Sequence, residues 1–543
     1  MSFRSFLAPR RPVGTLARGR AADRRARGRP PRATLAVQAL EDRTVPSTFT
    51  VLNLADGGDG SLRQAVLDAN SPAYPGADVI NFAAGLQGTI ALGGVPLSIT
   101  DHLTIEGPGA ELVAVSGEDA SRVFEIVAGV AAVLDGLTIT RGQAEVGGGI
   151  HNAGTLTVSH CTLSANQAVG GAGHDARGGG IFNEAPAVLT VTHSLFSNNR
   201  AVGGDGGPAV HGGEGAGGGI YNLDATLTVS NSTFTGNQAV GGDGGSGAGG
   251  GIANGGAVAS EGIGRPAFLS ISHSTLSDNQ ASGGFGGVFV TEDSDGHGGA
   301  VFNRGWTTLL LSHSTVSDNR ATGGAGATGR VGGNGNGGGL LLSVTAAGPT
   351  SILIDSCAFT DNQATGGAGG AGAAGGQGQA GAIRTSTRLT GGGPPGSLVV
   401  SRSMFSGNQA TGGAGGAGGT GGIGQGGAYQ TIGANWTISF DRCTISGNQA
   451  TGGAGGVGGN GGVGRGGGCI FSNLSTVYLE RVDITGNQAT GGTAGAGGQD
   501  GQGIGGGVYV TTGARVSARY TNISGNHAST SNDDVFGPID FGG

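Results

Sequence analysis

Lysine is absent from this chain of 543 residues, so all 28 basic side chains are Arg. Cysteine is scarce: Cys161, Cys357, Cys443 and Cys469, with no CxxC pair. Zinc and thiol-redox chemistry therefore have no sequence support. The 16 Pro are too few and too irregular for a collagen-type chain. No apolar run approaches the ~18 residues a membrane-spanning helix needs. The longest, Ile126 to Leu134, contains Gly129. A wholly disordered chain is excluded by the Val, Ile and Leu content. The residue in excess is Gly, with 124 copies, about 23 % of the chain against a usual ~7 %.

The net charge of −8 averages two unlike parts. Residues 1–43 hold eleven Arg against Asp23, Glu41 and Asp42, and the remainder is acidic. Residues 1–47 are expected to be a disordered, Arg-rich leader or export segment, because they carry too little apolar pattern to fold. Nucleic-acid binding by this tail is the lesser reading, and no nucleic-acid partner is expected.

Internal repetition decides the architecture. From residue 136 onward one phrase recurs: GGGI-x-N, a short alternating run, then S-x-F/L-S/T-G/D-N-Q-A, as in Gly217 to Asn222 and Thr226 to Ala239. Its marker Asn stands at Asn166, Asn199, Asn237, Asn279, Asn319, Asn362, Asn408, Asn448, Asn487 and Asn526. A degenerate first copy puts Gly142 there, only 24 residues before Asn166, so about 24 residues is the bare unit. Later units are 33 to 46 residues long, and the additions are mostly Gly and Ala inserted at one point.

The bare unit holds three short runs of period-2 alternation, which means strands. Such a unit buries its apolar face only by stacking on its neighbours. The expected fold is all-β: a single-stranded, right-handed parallel β-helix with Gly-rich inserts at one corner of each coil. Residues 48–141 are read as N-terminal cap and first coils, 142–528 as the repeat helix, and 529–543 as a C-terminal tail. Ser61 to Asn70 reads as a short capped helix over the open end. Stacking turns the marker into an Asn ladder, and Leu163, Phe196, Phe234, Leu276, Val316, Phe359, Phe405 and Ile445 into a core column. A second Asn column is read at Asn152, Asn183, Asn222, Asn254 and Asn303. The inserts are expected to run as polyproline-II-like strands stacked coil on coil, an approach only Gly permits.

Gly60 to Asn70 (GSLRQAVLDAN), Gly76 to Phe82 (GADVINF) and Leu103 to Gly109 (LTIEGPG) resemble the N-terminal region of secreted bacterial right-handed parallel β-helix proteins with the pectin-lyase-like fold. The GGGI and FTGN phrases resemble repeats of polymorphic outer-membrane, adhesin-type proteins, here without an autotransporter barrel. Leu40 to Pro46 (LEDRTVP) resembles an export or sorting tag. The inserts are similar to those of glycine-rich mycobacterial-type surface proteins. These resemblances imply a secreted or cell-surface protein, a monomeric rod meeting surface glycans or matrix components, with no transmembrane segment.

Enzymes of this fold use side chains projecting outward from neighbouring coils. Asp278, Asp318 and Asp361 precede the marker in three successive coils and are the candidate catalytic carboxylates. Gly and Asn fill the same position elsewhere, so turn geometry outweighs catalysis there. Six before the marker stand His160, His193, Asn231, His273, His313, Ser356, Arg402, Arg442, Arg481 and Tyr520. Arg402, Arg442 and Arg481 are the candidate grip for an anionic glycan, weighed against a surface ion network with Asp355, Asp441 and Glu480. Glu292, Asp293 and Asp295 form an acidic insert with weak Ca²⁺ potential but no full Ca²⁺ motif, and no other cofactor is implied. The reading this favours is an exported structural or adhesin-like protein with no evident catalytic site. The alternative is a polysaccharide lyase or glycoside hydrolase acting through stacked carboxylates.

Overall fold

The computed structural model describes residues 46–286, 293–345, 348–387, 395–433, 435–472 and 474–542. The leader, residues 1–47, lies outside them apart from its last two residues. The described strands form four parallel sheets of 25, 13, 11 and 9 strands. Pairing runs from coil to coil in constant register: Thr162↔Leu195, Leu195↔Thr233, Thr233↔Thr275 and onward. This is a right-handed parallel β-helix.

Each coil repeats the same order of segments. Gly-Gly leads into a short strand such as Ile220–Leu223, then an alternating strand such as Thr226–Ser230, both in the 25-stranded sheet. A three-residue strand such as Thr233–Thr235 follows in the 13-stranded sheet, and one such as Gln238–Val240 in the 11-stranded sheet. The expected core column is fully buried from Leu163 to Ile445. Its rings stack, Phe196 on Phe234 at 4.6 Å and Phe359 on Phe405 at 4.9 Å. All four Cys are buried and unbridged. Burial pushes the Cys161 thiol up to about 12, and Cys357 and Cys443 to about 11, so they pack as small core residues.

The marker Asn residues form a continuous ladder. From Asn166 to Asn487, each Nδ2 donates to Oδ1 of the next marker at 2.8–3.0 Å. Each also donates to a core-strand carbonyl one coil back, as Asn319 does to Leu276 O at 2.9 Å. The second column behaves differently: Asn152 donates to Asn183 and Asn183 to Asn222, both at 2.7 Å, but Asn222 donates to Ser260. Asn254 belongs elsewhere, one strand earlier, opposite Ala216 and His297. It precedes its Gly-Gly, whereas the true column follows it.

The helix forms over Leu62–Ala69, with Ser61 Oγ accepting from Gln64 N–H at 3.1 Å. It buries Leu62, Ala65, Val66 and Ala69 against the first strands. At the other end Val535–Phe536 pairs with Val508–Val510.

The inserts follow a three-residue rule. Gly412, Gly415, Gly418 and Gly421 donate to Thr451, Ala454, Val457 and Asn460 of the next coil at 2.7–2.9 Å. The following residues, Gly413, Gly416 and Gly422, donate to other arms at 2.8–3.0 Å. The third residues, Ala414, Ala417 and Thr420, face solvent. Three residues per turn with all bonds between strands is polyproline-II packing. The arms approach too closely for a side chain: a Cβ on Gly413 would stand 2.0 Å from Gly367 O, and one on Gly422 1.8 Å from Gly376 O.

Candidate functional site

Each insert returns through a two-residue strand, Ala176–Arg177, Gly215–Ala216, Ala253–Asn254 and so on, building the nine-stranded sheet. The chain then reverses at Gly-Gly, which folds this sheet against the outer face of the next strand. A seam forms along the corner. Its apolar part packs Phe182, Ala216, Tyr221, Ala259, Phe302 and Leu341 together outside the main core.

The seam also buries charge. Glu261 is 1 % exposed in its side chain, and its Oε2 accepts from Arg304 Nη2 at 2.6 Å. Its Oε1 is buried without a hydrogen-bond partner. One coil back, Glu214 accepts from Asn254 Nδ2 and lies 3.8 Å from Arg177 Nη2. Asp175 holds the cluster's outer edge, accepting from Arg177 at 2.7 Å and from the Glu214 N–H at 2.9 Å. The two guanidiniums lie over ring faces, Arg177 over Tyr221 at 5.6 Å and Arg304 over Phe302 at 5.4 Å.

Burial, then the charge of Glu261, pushes the Glu214 carboxyl up to about 7, against the pull of Arg304 and Arg177. Burial, then the Glu261 and Glu214 charges, drives the Tyr221 hydroxyl well above its ordinary value. Glu214 is thus a carboxyl able to give or take a proton near neutrality. A recess of ≈ 380 Å³, lined by Glu145, Val146, Gly173, His174, Asp175 and Arg177, opens beside it. Arg177 belongs to both recess and cluster.

Farther along the seam amides join the charged groups Asp295, Arg384 and Arg465. Asp295 accepts from Asn334 N at 2.6 Å and from Asn336 Nδ2 at 3.2 Å. Gln430 donates to Gln425, and Gln425 to Gln377, both at 2.8 Å.

The carboxylates expected from the sequence lie elsewhere. Asp278, Asp318 and Asp361 stack in adjacent coils, exposed, at φ 54–57°, in the left-handed region. Their backbone N–H groups pair with the next coil, and no side-chain hydrogen bond or ion pair engages any of the three among the described residues. Of the acidic insert, Glu292 lies outside the described residues. Asp293 pairs with His211 at 3.4 Å while Asp295 is drawn into the seam, so the two do not converge. Among the described residues no cluster of three or more His, Cys, Asp or Glu side chains could hold a metal ion. Arg402, Arg442 and Arg481 stack on one corner as expected, interleaved with Asp355, Asp441 and Glu480.

Glu214, Glu261, Arg177 and Arg304 went unrecognised in the sequence. Their columns change residue type from coil to coil, so repetition could not mark them. The available signal was a lone acid in an otherwise Gly-rich arm, His211 to Gly219.

No family model and no curated protein matches the chain. Among solved structures it is similar to the catalytic unit of a thermostable GH87 α-1,3-glucanase from Streptomyces thermodiastaticus, at 14 % identity and TM-score 0.36, covering 81 % of this chain and 68 % of that one. It is also similar to a mannuronic acid specific polysaccharide family 6 lyase from human gut microbiota, at 10 % identity and TM-score 0.37, covering 91 % of each. Likeness at this level concerns the fold alone and transfers no residue. Both proteins are glycan-cleaving enzymes, and the expectation of an exported structural or adhesin-like protein with no catalytic site is corrected accordingly.

Proposed function

We propose that the chain cleaves polysaccharides, as a lyase or glycoside hydrolase, with Glu214 as the proton-transfer group. The observation that carries this is the Glu214 carboxyl raised to about 7 by burial and Glu261, 3.8 Å from Arg177, which also lines the neighbouring recess. In elimination, Glu214 as carboxylate takes the proton next to a sugar carboxylate that Arg177 neutralises, the C–O bond to the leaving sugar breaks as the C=C bond forms, and the leaving oxygen takes a proton from solvent. In hydrolysis, Glu214 as carboxylic acid protonates the leaving oxygen while water attacks the anomeric carbon, and the proton that water loses passes to solvent and restores Glu214. Glu261 acts by positioning: burial and the Glu261 charge keep Glu214 protonated toward the neutral range, while Arg304 holds Glu261 in place and opposes part of that rise. An extracellular setting suits such substrates, and residues 1–47 then serve as the export leader. No helix among the described residues is long and apolar enough to cross a membrane.

The test is a polysaccharide screen read by reducing-end release and by ultraviolet absorbance of unsaturated products, which separates hydrolysis from elimination. Glu214→Gln is expected to lower turnover at least ~100-fold with the fold unchanged by circular dichroism. Full activity in that variant would refute the assignment.

A further inference from the structure

Six residues before each marker the chain turns a corner in the left-handed region. His160, His193, Asn231, His273, His313, Ser356, Arg402, Arg442, Arg481 and Tyr520 all have φ between 49° and 55°. Gly takes this conformation without cost, and other residues pay for it in strain. Yet in a chain so rich in Gly, this column uses it only at Gly136. The neighbouring left-handed column, just before each marker Asn, holds Gly five times, at Gly236, Gly407, Gly447, Gly486 and Gly525, and otherwise only the short side chains of Ala165, Asn198, Asp278, Asp318 and Asp361. At all but Gly136, Ser356 and Tyr520, the first corner keeps nitrogen-bearing side chains at a conformational cost. Imidazoles stack along it, His160 on His193 at 5.1 Å and His273 on His313 at 4.9 Å.

The corner opens into a recess of ≈ 540 Å³ where His313, Ser356, Arg402 and Arg442 meet the exposed face of Thr315 and Thr444. The three Arg of this region are not equivalent. Arg402 is committed to Asp355 at 2.5 Å. Arg481 holds Asp441 Oδ1 at 2.9 Å and Glu480 at 2.8 Å. That leaves Arg442, 54 % exposed, with a single 3.7 Å approach to the other oxygen of Asp441 and no side-chain hydrogen bond among the described residues. Its planar guanidinium presents a donor fork to solvent, the geometry that matches a carboxylate or sulfate.

We propose that this corner binds an anionic glycan, lying along the coil axis with an acidic group on Arg442. At ~4.8 Å per coil, His313 to Arg442 spans roughly 14 Å, so the ligand is an oligosaccharide segment and not a single sugar. Hydroxyls line the floor, and no Phe, Tyr or Trp lines it to stack a nucleic-acid base. Asp355, Asp441 and Glu480 beside the Arg residues oppose a continuous polyphosphate. The proposal is independent of the cleavage reading, because the seam is not part of this corner.

The test is titration calorimetry of the full chain at two salt concentrations. The probes are oligogalacturonate (carboxylate), sulfated dextran (sulfate), neutral dextran and a single-stranded oligodeoxynucleotide. One or both acidic glycans should bind in a salt-sensitive way, and which one identifies the acidic group. Arg442→Gln should weaken that binding about tenfold, and Arg442→Lys less. Glu214→Gln should leave it unchanged, which separates this site from the catalytic reading. The proposal fails if neither acidic glycan binds, if Arg442→Gln binds like the unmodified chain, or if neutral dextran or the oligodeoxynucleotide binds as tightly.

Discussion

Asp534 Oδ1 accepts from both the backbone N–H and the Nδ2 of Asn526, at 3.0 and 2.9 Å. Every earlier marker Asn is received in this way by the Oδ1 of its successor, as Asn487 is by Asn526 at 3.0 and 2.8 Å. A carboxylate from the tail thus stands in for an eleventh amide and closes the ladder.

Asp534→Ala removes that acceptor and leaves two donors of Asn526 unsatisfied. The last coil should lose about 1–3 kcal/mol, seen as faster amide hydrogen exchange at Asn526. Asp534→Asn keeps an Oδ1 in place and should exchange nearly as the unmodified chain does.

In mid-ladder the cost is larger. Asn319→Ala strands the N–H and one Nδ2 hydrogen of Asn279 along with the acceptor Leu276 O, and leaves Asn362 Oδ1 with only the backbone N–H of residue 319. The urea midpoint should fall by the equivalent of about 3 kcal/mol or more. The adjacent Asp318→Gly should change stability by no more than ~0.5 kcal/mol, since Asp318 has a left-handed backbone and no side-chain partner.

The glycine bundle makes a sharp positional prediction. Gly413→Ala places a Cβ 2.0 Å from Gly367 O and should open the flank locally, read as loss of amide protection at Gly376 and Gly422. Ala414→Ser, one residue on and facing solvent, should leave protection unchanged.

Glu214 ties stability to pH. Its folded value of about 7 exceeds the ordinary 4.5, so the folded state holds the proton more tightly. That contribution is fully present below pH 4.5 and is lost as pH rises toward and through 7. The melting temperature should fall across this window, and Glu214→Gln should flatten the decline.

The solenoid was legible because its determinants repeat. Strand order, the Asn ladder, the Phe column and the Gly triplets each recur coil after coil, and stacking enforces one environment per position. The Ser61 cap was legible for a different reason: it satisfies a local rule within four residues. The seam was opaque, because it depends on how far the chain reverses at Gly-Gly. That turn decides which side of it Asn254 falls on, and it brings Arg177, Glu214, Glu261 and Arg304 together from four coils. Side chains that depart from the columns of a repetitive scaffold carry no recurrence signal, so a reading built on recurrence passes over them.

The Asn ladder has a direction. In all ten residues the carbonyl oxygen faces the preceding coil and the amide nitrogen the following one, so their dipoles add along the axis. Aligned amides polarise one another, much as peptide units do in a helix. The negative end rests on the N–H of Gly142, which donates to Asn166 Oδ1 at 2.9 Å. The positive end meets the carboxylate of Asp534. The β-helix therefore carries an internal electrical polarity in a column of neutral side chains, with one anion placed where that polarity is most favourable to it.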